Sequence, residues 1–247
     1  MNNIVIFGAN GGLGFAFLKY FALKGDFCIA CCRTPKHLED KLELYEIDTS
    51  KIKIIAWRAD EEQDYEQVGD YIKTHKLTLD FCFNTVGVLQ AEGYSPEKKL
   101  DHISKDALLW SFQINTLTAA LILKYITPFM TKDNGCVMAH LSARVGSISD
   151  NKLGGWYAYR ASKAALNMII KTASIEQKLR NKQLCIVALH PGTVETALSK
   201  PFRSQVKKER LFSADQSVGY LIDNVIIHLN PEKSGCFYAW DGTEIDW

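Results

Sequence analysis

Short apolar runs alternate with helix-length segments along this chain from end to end. Predicted strands cover residues 3–7, 27–32, 53–57, 79–84, 136–142, 184–190 and 236–240. Predicted helices run from a glycine turn after residue 7 to about Lys24, then over 61–75, over 105–130 as one helix or two ending near Pro128, over 157–180 and over 213–229. Strands separated by whole helices pair side by side in parallel, and the crossover helices cover both faces of the sheet. The expected fold is therefore α/β, a doubly wound parallel sheet, in one domain over residues 1–247. No repeat, low-complexity tract or linker divides the chain. In such a sheet ligands bind outside the carboxyl ends of the strands. A motif that carries chemistry should then stand just after a strand.

Composition narrows the classes. Apolar residues make up 47% and charged residues 23% of the 247, with a formal net charge of +1. That balance gives no bulk-charge reason to bind nucleic acid or a membrane surface. The first residues do not read as a secretion signal, and no apolar run is expected to reach the roughly 18 residues of a membrane span. A cytoplasmic protein is expected. The seven cysteines are odd in number and lie mostly in strand-like runs, against a disulfide framework. Cys28 and Cys31 have C-x-x-C spacing, but within a strand residues three apart face opposite sides. They read as buried structural thiols. No His/Cys cluster has zinc spacing, so no metal is expected.

The first strand is followed by Gly8-Ala9-Asn10-Gly11-Gly12-Leu13-Gly14, which opens a helix. Glycines permit a tight turn and let backbone N–H groups approach a pyrophosphate, and the helix N-terminus favours its negative charge. This makes the expected sheet Rossmann-type. Gly8, Asn10, Gly12, Leu13 and Gly14 are the candidate phosphate cradle. The second strand ends in Cys32-Arg33-Thr34. A site selective for NAD usually carries an acid there to bind the ribose 2′-hydroxyl. Arg33 instead suits a 2′-phosphate, which points to NADP with NAD the weaker choice.

Tyr159-Arg160-Ala161-Ser162-Lys163 begins the longest helical segment. Residues at i and i+4 share a helix face, so Lys163 stands one turn from Tyr159. A phenol titrates near pH 10, and a neighbouring ammonium is expected to lower that value toward working pH, where acid–base catalysis operates best. The spacing alone is also that of an ordinary surface pair.

Gly8-x-x-x-Gly12-x-Gly14, Asn84, Ser142, Tyr159-x-x-x-Lys163 and Pro191-Gly192, in this order over nearly the whole chain, resemble the short-chain dehydrogenase/reductase family. The stretches from Trp156 to Asn167 and from His190 to Thr196, with the closing Trp240-Asp241-Gly242 and Trp247, look most like its branch of C-factor proteins and sniffer-type carbonyl reductases. The resemblance implies an NADP(H)-dependent oxidoreductase. It would reduce an aldehyde, ketone or quinone, or oxidise the corresponding alcohol. Tyr159 would exchange the proton, Lys163 would also bind the nicotinamide ribose, and Asn115 would hold a water in the proton relay. Asn84 and Gly87 would wall the adenosine ribose and Asp60 would meet the adenine. Pro191, Gly192, Val194 and Thr196 would hold the carboxamide. The resemblance also implies a homodimer or homotetramer, through the helices around 105–130 and 157–180.

Three departures stand out. The family's second serine after the fifth strand, which polarises the substrate carbonyl, falls on Ala143 here. Ser142 lies one residue early and would point away in a regular strand. Either Ser142 serves through a local bulge, or Ser147 or another hydroxyl enters, or no serine is used. Phe7 replaces a usual threonine, and Thr85-Val86 replace Asn-Ala. Two other readings remain: a catalytically weak nucleotide-binding sensor or signalling protein of the C-factor type, and a sugar-nucleotide epimerase or dehydratase. The cluster Arg203, Lys207, Lys208 and Arg210 reads as a solvated helix face or part of a substrate lid.

Overall fold

The structure is a computed structural model, and it describes residues 1–200 and 208–247. Arg203 and Lys207 of the basic cluster lie outside the described residues. Seven parallel strands form one sheet in the order β3-β2-β1-β4-β5-β6-β9. They are β1 (Asn3–Phe7), β2 (Phe27–Cys32), β3 (Ile52–Ala56), β4 (Phe81–Asn84), β5 (Cys136–Leu141), β6 (Leu184–His190) and β9 (Phe237–Ala239). Chain order reverses between β1 and β4, and that switch point is where a crevice opens.

The helices pack by strand parity. On one face α1 (Gly12–Leu23), α2 (Pro35–Leu44) and α7 (Ala214–Asn224) enclose Ile4, Ile6, Cys28, Ala30 and Val187. On the other, α3 (Glu62–Thr74), α5 (Thr118–Ile126) and α6 (Tyr157–Arg180) enclose Val5, Phe7, Ile29, Cys31 and Ile186. Cys28 and Cys31 thus sit in different cores, as strand alternation requires. All seven cysteines are free.

Phe7 packs edge-on against Trp57 at 5.1 Å and stacks near Tyr65 at 6.2 Å, filling the core directly below the glycine turn. This is the physical role of one of the three departures.

Five details differ from expectation. Helix α2 was not expected, because its only buried apolar residues are Leu38 and Leu42 and most of the rest is charged. The third strand sits one residue earlier than predicted. The predicted helix over 105–130 is α4 (Lys105–Phe112), a π turn (Gln113–Leu117), α5 and a final 3-10 turn. The run Lys105–Phe129 is, by length and composition, apolar enough to cross a membrane, contrary to the expectation above. Ala119, Ile122 and Ile126 are fully buried in the core, which accounts for part of its apolarity. Two short strands, β7 (Thr193–Val194) and β8 (Leu211–Phe212), pair beside the main sheet.

Candidate active site

The glycine turn is built for close approach. Gly8 has φ +84, and a Cβ there would stand 2.8 Å from Thr85 Oγ1. A Cβ on Gly14 would stand 2.7 Å from the same hydroxyl and overlap Gly8 O. One on Gly12 would meet Thr196 Cγ2 at 2.8 Å. Thr85 donates its hydroxyl to Phe7 O at 2.7 Å, so the residue that replaces the expected asparagine ties β4 to the turn. Asn10 is held from below by Lys41, which donates to its carbonyl at 2.8 Å, and Asn10 Oδ1 is buried without a partner.

Two cavities open over the carboxyl ends of the strands and share Gly11, Arg33, Thr85, Val86 and Gly87. The larger, about 550 Å³, is walled by Gly8, Asn10, Thr34, His37, Trp57 and Asp60. The other, about 440 Å³, is walled by Gly12, Leu13, Ser142, Tyr159, Lys163 and His190, and by Pro191, Gly192, Val194 and Thr196. The pair makes one elongated crevice across the switch point. Its donor set fits an extended dinucleotide: a glycine cradle that Cβ atoms would fill, an unpartnered amide oxygen, and a guanidinium at the junction. Gly192 (φ +76) turns the β6 exit, and a side chain there would strike Phe212 at 2.7 Å. Ser217 donates to Pro191 O at 2.7 Å and pins the same turn.

Asn84 and Asn115 do not line either cavity. Asn84 is fully buried; its Oδ1 accepts from Val86 N at 3.1 Å and its Nδ2 lies 3.3 Å from His140 Nδ1. It shapes the Val86-Gly87 wall from behind. Asn115 lies in the π turn. Its Oδ1 accepts from Val88 N at 2.8 Å, and its Nδ2 donates to Val88 O and Ser162 Oγ. Its side chain is therefore fully engaged.

Tyr159 and Lys163 lie one turn apart near the start of α6 and are 7% and 2% exposed. The phenol makes no hydrogen bond among the described residues, so its hydroxyl is left to the cavity. Lys163 Nζ donates to Leu141 O at 2.9 Å rather than to the phenol. A side chain on Gly87 would meet Nζ at 3.3 Å, so that glycine keeps the ammonium reachable. The expected lowering of the phenol does not appear. Burial pushes Tyr159 above its ordinary value and brings Lys163 down to about 7, because each charged form loses its water and no acid among the described residues pairs with the lysine.

Ser142 donates to Asn167 Oδ1 at 2.6 Å, and Asn167 Nδ2 in turn donates to Gly146 O. Ala143 is extended (φ −148, ψ 144), so no bulge re-aims Ser142. A serine has one proton to give, and here Asn167 takes it. Ser147 gives its own to Asp246 O at 2.5 Å. Both hydroxyls thus give their protons to protein partners.

The chain matches, over residues 2–207, a family model described as short chain dehydrogenase. It is 27% identical over 247 residues, all of both chains, to the 1-hydroxy-2-glutathionyl-2-methyl-3-butene dehydrogenase of Rhodococcus sp. (strain AD45). It is 37% identical over 137 residues to the C-signal of Myxococcus xanthus, covering 56% of this chain and 76% of that protein. Among solved structures, the carbonyl reductase Sniffer of D. melanogaster superposes with a TM-score of 0.85 at 25% identity, over the full length of both chains.

Proposed function

The chain belongs to the short-chain dehydrogenase family, oxidoreductases that use nicotinamide cofactors and act on small molecules, and from that premise we propose that it is an NADP(H)-dependent carbonyl reductase. The observation that carries this reading is the free Tyr159 hydroxyl on the cavity wall, with Lys163 behind it on the same helix. When bound, the nicotinamide supplies the hydride or takes it back. Tyr159 protonates the carbonyl oxygen, and its raised pKa keeps that proton in place at working pH. Lys163 holds a positive charge or a donor beside the ribose. A relay through Asn115 would run over its backbone, since its side chain is engaged. The Pro191, Gly192, Val194 and Thr196 turn orients the carboxamide end, and Gly8, Asn10, Gly12, Leu13 and Gly14 cradle the phosphates. Gly87 forms the ribose wall with Asn84 supporting it from behind, and Asp60 meets the adenine.

The test is oxidation of NADPH with a panel of aldehydes, ketones and quinones, with Tyr159→Phe alongside. Activity that Tyr159→Phe abolishes supports the reading. A protein that binds NADPH and reduces none of the panel instead fits a nucleotide-binding sensor, the reading that the C-signal likeness favours.

Arg33 lines both cavities at the end of β2, with Thr34 and His37 beside it. This position suits the 2′-phosphate of NADP. Arg33→Ala should raise KM for NADPH by about 10–100-fold, the loss of one charge-assisted, bidentate contact, while KM for NADH changes little. An unchanged preference sinks the assignment.

Leu109, Leu117, Met168, Ile175 and Leu179 are exposed on the helices α4 to α6. We assign this apolar surface to a homodimer or homotetramer contact; light scattering that finds a monomer overturns it. The free thiols suit a reducing compartment and support the cytoplasm, which cell fractionation checks.

A further inference from the structure

The site as described has a proton donor but no hydroxyl that polarises the substrate oxygen. Ala143 stands where such a donor is needed, and the protons of Ser142 and Ser147 go to Asn167 and to Asp246 O. His190 is a polar side chain on that stretch of wall whose hydrogen bonds are unspent among the described residues. It ends β6, one residue past the Leu141–Leu189 pair, so it lies beside the start of the Ser142-Ala143 segment. It lines the same cavity as Tyr159.

Neither ring nitrogen makes a hydrogen bond among the described residues, and only Nδ1 is shut off from solvent. Nε2 is therefore the nitrogen that can meet a ligand. Charged groups around the ring are Arg144, which lowers its proton affinity, and Asp241 and Asp150, which raise it. Burial outweighs them and holds the imidazole down at about 4, so it is neutral at working pH and carries one N–H. Orphaned buried N–H groups are rarer than orphaned acceptors. The proton accordingly belongs on Nε2, where a ligand can take it, and the bare lone pair on Nδ1.

We propose that His190 Nε2–H donates a hydrogen bond to the oxygen of the bound carbonyl, the polarising contact to which the protons of Ser142 and Ser147 are not given. No atom is transferred by His190. The hydride goes to the carbonyl carbon and the Tyr159 proton to the oxygen, while the imidazole keeps its own proton. The inference rests on the reductase reading above and deepens it.

The experiment compares wild type, His190→Leu, His190→Gln and Ser142→Ala with NADPH and 4-nitrobenzaldehyde, 2,3-butanedione and phenanthrenequinone. NADPH binding by fluorescence and thermal melting are measured for each. His190→Leu should lower kcat by about 10–10³-fold with KM within about 3-fold, the pattern of a lost oxyanion donor. His190→Gln, whose amide N–H reaches a similar distance, should recover most of that loss. Ser142→Ala should melt earlier, by a few degrees, while its kcat falls far less than that of His190→Leu. If His190→Leu does not fold, His190→Asn takes its place, with an amide too short to reach. Wild-type kcat in folded His190→Leu, or no recovery in His190→Gln, overturns the inference alone. A wild-type protein inactive on the whole panel overturns the reductase reading and this inference with it.

Discussion

Replacing Tyr159 with Phe should lower kcat for carbonyl reduction by about 10²–10⁴-fold, the usual contribution of a positioned proton donor. Binding of NADPH should change by only a few-fold, because the ring stays and only the hydroxyl goes. Thermal stability should hold as well: the phenol makes no hydrogen bond within the described protein, so its loss orphans no partner. This separation of effects is the informative part. A structural tyrosine would lose stability and activity together. The pH profile follows from the direction of the shift. Burial raises the phenol above its ordinary value, so the protonated form persists to high pH. Reduction should therefore show no loss from phenol ionisation up to about pH 9, whereas alcohol oxidation, which needs the phenolate, should speed up as pH rises. A reduction rate that falls steeply between pH 7 and 9 in parallel with phenol titration contradicts the assignment.

Lys163→Met should abolish most activity and make the protein more stable. Lys163 is 2% exposed, has no acidic partner among the described residues, and spends one hydrogen bond on Leu141 O. Burial brings its pKa from 10.5 to about 7. Between those values the unfolded chain holds a proton that the folded chain does not, so stability rises with pH across that window. Below about pH 7 both states are protonated and the folded state carries the whole cost of the dry ammonium, at most ~5 kcal/mol at ~1.4 kcal/mol per pH unit. Methionine removes that cost and keeps the packing, less about 1 kcal/mol for the lost hydrogen bond. A gain of about 2–3 kcal/mol raises Tm by roughly 5–10 °C for a chain of this size. The gain should be largest at pH 6–7 and shrink toward pH 10. A variant that melts below wild type at pH 6.5 refutes the idea that function holds this lysine at a cost to stability.

The fold was readable because its signals are local. Parallel strands buried on both faces appear as continuous apolar runs, and the crossover helices between them leave long gaps. The glycine turn and the Tyr159–Lys163 spacing were readable for the same reason, since each lies within one turn or one helix. Helix α2 escaped because Leu38 and Leu42 are its only buried apolar anchors, and four residues of spacing between two leucines is too short a period to recognise. The two-residue strands β7 and β8 carry no period at all. The one-residue offset of β3 is set by its pairing with β2, not by its own composition.

The chemistry divided along the same line. Residue type and order alone determined a doubly wound sheet and the family, and they pointed to the Tyr159–Lys163 pair, the arginine at the end of β2 and the missing second serine. Tertiary structure decided where protons and hydrogen bonds go. It turned Ser142 onto Asn167, set Asn84 and Asn115 behind the wall, and left His190 unspent on the cavity. It also reversed the expected direction at Tyr159 and brought Lys163 down by burial. Desolvation depends on everything packed around a group, which no spacing within one helix records.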